Sequence, residues 1–302
     1  MLRWAVLLCL VVTAVAAEAV SIQARDGVTL RTVDGTRALT CLVFYPDGAA
    51  PCPVVVFSHD LGRSRGAYWY LGEAWAKAGL VAVFPTHARS DREAVALTGL
   101  LRAAESARAT VRDGTIWRDR AVDLRTVAAG LPDIEAQVPA LRGRLDADAI
   151  GIGGHAFGAC TAAAAAGLKP TLSPPIGEPI DVPAAKSCLL FGPPGPWAAM
   201  EPVAWQGLGV PCLIAVGGTD PDMAAICGGQ DGSEWLAEVL SGRRIPTWTL
   251  TLPKAHHCTF SNGGWGPAVD PEHIRLLTRS SIAFWRRTLQ GDAAAEPDRT
   301  GP

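Results

Sequence analysis

The stretch GIGGHAFGAC, residues 151–160, is where this chain most readily places chemistry. A short apolar run ends in Gly154-x-x-x-Gly158 and passes into an alanine-rich segment, so a strand, a sharp turn and a helix are expected in succession. Glycines at this spacing clear room around the residue between them, whose side chain then stands above the sheet. The amides that open the helix offer N–H groups and a positive dipole end to an anion. With serine at the turn, this is a nucleophile elbow. The residue there is Ala156, which has no hydroxyl to attack with.

Two later segments supply the partners such a turn requires. In PCLIAVGGTDPD, residues 211–222, a strand is followed by Gly-Gly-Thr-Asp, which makes Asp220 the expected acid, with Asp222 in reserve. In LPKAHHCTFSN, residues 252–262, His256 and His257 follow the last expected strand. His257, within His-Cys-Thr-Phe, is the expected general base, since a histidine oriented by a carboxylate takes a proton from the nucleophile. An oxyanion hole needs a second N–H from the loop after an early strand. PVVVFSHDLGRSRG, residues 53–66, provides that loop and makes the Leu61 and Phe157 amides the expected donors. His59, Asp60 and His155 flank them and are pocket candidates, as is Trp197 in a Pro/Gly loop. A thiol in place of the missing hydroxyl would be Cys160 or Cys258; Cys160, one turn into the helix, is expected to face the core, and nothing in the spacing gives Cys258 an oxyanion hole.

The elements that must position these residues follow a simple pattern. β-branched runs at 38–45, 53–58, 80–84, 149–153, 187–191, 211–216 and 246–252 alternate with helical stretches at 66–78, 117–142, 157–166 and 271–289. This is the pattern of a mostly parallel central sheet flanked by helices. The 117–142 stretch is one long helix or one broken at Pro132. Two Pro/Gly-rich stretches, 167–186 and 191–209, are expected at the carboxyl rim of the sheet, where ligands bind in open α/β folds.

Composition narrows the function classes. The chain has 302 residues, 49% of them hydrophobic, with 27 Lys and Arg against 29 Asp and Glu. That balance, with no basic run, excludes a nucleic-acid partner. The leader MLRWAVLLCLVVTAVAAEA, residues 1–19, has one Arg, an apolar core and small residues toward its end, as a secretory signal does. An uncleaved anchor is the alternative; after cleavage no stable membrane span is expected, and the protein is secreted or periplasmic. Residues 20–290 form the domain and 291–302 a disordered tail. Export implies an oxidising compartment, and Cys41 and Cys52, flanking what reads as a link between neighbouring strands, are the best candidates for a bridge. No Cys or His spacing suggests a metal site, and no cofactor is expected.

FSHDLGRSRGAYWYLGEAWAKAG, RDRAVDLRTV, LDADAIGIGGHAFGA and AHHCTFSN together resemble the α/β-hydrolases of the platelet-activating-factor acetylhydrolase, bacterial cutinase-polyester hydrolase and dienelactone hydrolase type. The resemblance spans roughly residues 38–290 and rests on four motifs in order rather than on any one. It implies the α/β-hydrolase fold, a carboxylic-ester site and a small acyl ester or lipid-like ligand. Those families read His-Gly-Leu-Gly in the oxyanion loop and Gly-His-Ser-Phe-Gly at the elbow. Here Asp60 replaces a glycine and Ala156 the serine. Loss of a triad serine typically costs about a million-fold in turnover, and a carboxylate beside an oxyanion hole opposes the charge the hole should hold. The expectation is an impaired, ester-binding pseudoenzyme. The alternatives are hydrolysis by a non-serine route, such as water activated by His257, and a purely structural domain.

Overall fold

The computed structural model describes residues 20–96, 102–176, 180–195, 199–217, 233–263 and 267–299. The expected leader, Trp197, Asp220 and Asp222 lie outside the described residues. Among the described residues, no helix is long and apolar enough to cross a membrane.

Eight strands form a single sheet: β1 Ile22–Arg31, β2 Ala38–Pro46, β3 Cys52–Ser58, β4 Val81–Pro85, β5 Leu145–His155, β6 Ala185–Phe191, β7 Cys212–Gly217 and β8 Thr247–Leu252. Their order across the sheet is β1-β2-β4-β3-β5-β6-β7-β8. β1 with β2 and β2 with β4 are antiparallel, and every later pair is parallel. The central strands are apolar in continuous runs because helices cover both faces. Along β3, Val54 and Val56 point into one core and Val55 and Phe57 into the other.

The described helices are α1 Trp69–Lys77, α2 Arg92–Ala96, α3 Ala103–Arg112, α4 Gly114–Ala129, α5 Leu131–Gln137, α6 Phe157–Ala165, α7 Ser233–Gly242 and α8 Pro271–Leu289. Trp117 and Leu124 of α4, Ile134 of α5 and Ala159 and Ala163 of α6 fill the first core. Leu71 and Trp75 of α1 and Phe284 and Trp285 of α8 fill the second. The 117–142 stretch is broken, as the proline at the start of α5 allows. Gly79, at φ +84°, follows the end of α1.

Several expectations are corrected. β1 is an additional edge strand: only Val28 and Leu30 are buried, so its pattern is mostly polar. Cys41 and Cys52 are not joined. Their strands are not neighbours, because β4 lies between β2 and β3. Residues 191–209 do leave the carboxyl end of β6, but 167–186 joins α6 to the amino end of that strand. The two stretches meet through Lys169 N–H to Ala204 O (2.8 Å) and Thr171 N–H to Ala199 O (3.0 Å). Residues 291–299, read from sequence as a disordered tail, lie against α8 and β8: Asp298 accepts from Arg279 and Ser280, and Glu296 accepts from Trp248 Nε1 at 3.1 Å.

Candidate active site

The elbow forms where the glycine spacing places it. β5 ends at His155, α6 starts at Phe157, and Ala156 between them has φ +51° and ψ −112°. A non-glycine residue in that region costs about 1–3 kcal/mol. The Ala156 amide is tied to Phe191 O (2.8 Å), and its methyl group is fully buried. Glycine is required on both sides by close approach: a Cβ on Gly154 would strike the Gly158 backbone, and a Cβ on Gly158 would strike Ser58 O and His59 O. The turn is thereby pressed against the loop that follows β3.

That loop places Asp60 over the start of α6. One carboxylate oxygen, Oδ1, accepts the Phe157 N–H at 3.2 Å. The other, Oδ2, lies 2.8 Å from His257 Nε2. The Leu61 amide also bonds this carboxylate. The two amides expected to hold an oxyanion are therefore already turned on a fixed negative charge. Burial pushes the Asp60 carboxyl up, but His257, His155 and the Leu61 N–H together hold it well below the usual carboxylate range.

His257 opens a 3₁₀ turn over 257–261 and is half-buried. Its ring lies 4.7 Å from that of His155, which is fully buried. Tyr68 Oη accepts the Asp60 N–H (3.1 Å) and lies 2.9 Å from His155 Nδ1. The side-chain ligand atoms of Asp60, His155 and His257 all lie within 4.8 Å of one another, a group that could hold a metal ion. Sequence reasoning missed it because the three residues come from three separated segments. Cys258 is buried with Arg63 Nη2 at 3.6 Å from its sulfur, and Cys160 faces the first core.

His59 faces inward. Its Nδ1–H donates to Asp60 O (2.7 Å) and its Nε2 accepts the His87 N–H (3.0 Å), so the ring shapes the loop from beneath. Burial, with His87 and Arg120 nearby, holds its pKa well below the usual value. Below it is a second network, absent from the sequence reading. Arg120 Nη2 donates to Ser58 Oγ (3.0 Å) and to His59 O; its other nitrogens reach Ser90 Oγ (2.7 Å) and Thr161 Oγ1 (2.8 Å). Ser58 Oγ is 2.9 Å from His87 Nε2, and His87 Nδ1 is 2.9 Å from Asp123 Oδ2. Arg37 closes the chain on Asp123 Oδ1 at 2.8 Å. Burial pushes Asp123 up to about 7 against the pull of Arg37, and pushes Arg120 down to about 10.

The strand order, the elbow after β5 and the histidine loop after β8 decide the architecture. This chain has the α/β-hydrolase fold. A candidate dienelactone hydrolase from Klebsiella pneumoniae subsp. pneumoniae superposes with TM-score 0.61 at 17% identity, over 88% of this chain and 98% of that one. A dienelactone hydrolase-like promiscuous phosphotriesterase from metagenomic libraries gives TM-score 0.59 at 14% identity, over 88% and 98%. A dienelactone hydrolase from Anabaena variabilis gives 0.56 at 17%, over 90% and 99%. No protein-family model and no curated protein matches the chain. At these identities the α/β-hydrolase fold is what is shared, so function is argued from the site itself.

Proposed function

We propose that this protein is an exported member of the hydrolase type, derived from a carboxylic-ester hydrolase, whose acyl-transfer site is closed by its own side chain. The observation that carries this reading is the Asp60 carboxylate, which takes the Phe157 amide on one oxygen and His257 Nε2 on the other, beside an elbow that carries Ala156. An acyl enzyme needs a nucleophile, a base with a free lone pair and an empty oxyanion hole. Each of the three is compromised by a residue type rather than by a shift in geometry. The elbow's strained dihedrals support descent from a working enzyme, since alanine gains nothing from them. The ligand class is a small acyl ester or lipid-like molecule, by resemblance of the surrounding motifs. Asp220 is the acid in this reading, and the leader carries the protein out of the cytoplasm.

The test is hydrolysis of a short-chain p-nitrophenyl ester. The native protein should be inactive, Ala156→Ser alone should restore little, and Ala156→Ser with Asp60→Gly should restore turnover that His257→Ala then abolishes. Native turnover that depends on His257 would overturn the reading in favour of water activated by that histidine.

A further inference from the structure

We infer that Asp60, His155 and His257 form a binding site for a divalent transition-metal ion of the zinc type. A buried carboxylate and two imidazoles have their ligand atoms within 4.8 Å of one another. Two nitrogen donors and one oxygen donor suit zinc, cobalt or ferrous iron, and do not suit calcium or magnesium, which take oxygen. Zinc held at about 2.0–2.2 Å from each donor wants donors roughly 3.3 Å apart. Asp60 Oδ2 and His257 Nε2, at 2.8 Å, are hydrogen-bonded to each other, so a bound ion would displace the hydrogen between them and part the two atoms to that spacing.

A second, independent observation is the support behind the ligands. Metal-binding carboxylates and imidazoles are oriented by hydrogen bonds on the side away from the ion. Asp60 Oδ1 is held by the Phe157 N–H at 3.2 Å, which leaves Oδ2 turned toward His257. His155 Nδ1 is held by Tyr68 Oη at 2.9 Å, which leaves Nε2 as the donor atom. Coordination through Nε2 puts the ring hydrogen on Nδ1, which then donates to the phenol oxygen. His257 is half-buried while His155 is sealed, so an aqueous ion meets His257 first.

This inference goes beyond the closed-site reading and does not rest on it, because neither a nucleophile nor an ester enters the argument. The experiment is titration of the full-length protein, freed of metal with a chelator, with Zn²⁺ by calorimetry and with Co²⁺ by visible absorption. One ion per chain is expected, with Co²⁺ ligand-field bands of a low-coordinate nitrogen and oxygen site and a rise in Tm on loading. His155→Gln and His257→Gln should each weaken Zn²⁺ binding about 100-fold or more, and Tyr68→Phe about 10-fold. Cys258→Ser should bind as the native protein does. Absence of binding, or thiolate-to-cobalt charge-transfer bands that vanish in Cys258→Ser, overturns the proposal. A folded His155→Gln that binds as tightly as the native chain does so too. The ester assay run in chelator keeps the two readings apart: turnover there would sink the closed site and leave metal binding to the titration.

Discussion

Two histidine networks meet at the segment Ser58-His59-Asp60, one beneath the loop and one above it. The lower one, Ser58–His87–Asp123, reproduces the hydrogen-bond chain of a hydrolytic triad at 2.9 Å in both steps. Its serine and histidine are fully buried, and Arg120 already donates to the serine oxygen. The upper one, Asp60–His257–His155, has no hydroxyl of its own, yet it has a partly exposed histidine, one amide at the head of a helix, a second from the loop after β3 and a strained turn beside it. Triad spacing alone therefore does not make a reactive centre. What does is access, together with amides placed where charge will develop. The lower network is scaffolding: its guanidinium donates to four buried oxygens, Ser58 Oγ, Ser90 Oγ, Thr161 Oγ1 and His59 O, and so ties the loop that carries the upper one to α4.

The largest effect that would break this comparison is Arg120→Met. Removing the guanidinium leaves Ser58, Ser90, Thr161 and the His59 carbonyl short of a donor, so the variant should lose about 3–5 kcal/mol in denaturant unfolding. A loss under about 1 kcal/mol would mean that the lower network is not the scaffold. An intermediate effect concerns Asp60 and pH. Its folded pKa lies below the ordinary value of about 4, so its contribution is fully present above that pH and is lost as the pH falls toward the folded value. The stability gap between the native protein and Asp60→Asn, on the order of 1 kcal/mol at pH 6, should shrink on going to pH 3. A gap that widens would show that the carboxylate is not held ionised by its neighbours. The smallest effect separates the elbow from its helix. Ala156→Gly should change stability by less than about 1 kcal/mol, since relief at φ +51° offsets the lost methyl and the more flexible unfolded chain. Ala163→Gly, inside α6, should cost about 1–2 kcal/mol by thermal melt, because glycine is disfavoured there and a buried methyl is lost.

How much could be read in advance follows from how local each signal is. The apolar runs marked β2 through β8: the strands from β2 to β7 bury both faces, and β8 at the edge alternates buried and half-buried residues. β1 escaped because its exposed faces leave only Val28 and Leu30 as a hint. The Cys41–Cys52 bridge failed on sheet order, which chain proximity does not reveal when another strand inserts between two successive ones. The tail failed because hydrogen bonds from Arg279, Ser280 and Trp248 hold a segment whose composition reads as unstructured. At the site, Asp60 was legible as a disturbance of the oxyanion loop. Its contacts with Phe157 and His257 were not, since they join residues 97 and 197 positions apart.

By itself the sequence determined the alternation of strands and helices, the elbow with its two glycines and the absence of a hydroxyl at Ala156. These depend on periodicity, backbone sterics and residue identity, all of which act within a few positions of the chain. Only the tertiary structure decided that Asp60 would lie against the amides meant for an oxyanion, that His155 and His257 would face it together, and that a buried arginine would hold the loop from below. Those facts depend on the packing of distant segments at the carboxyl end of the central strands, where burial fixes which polar atoms must find each other.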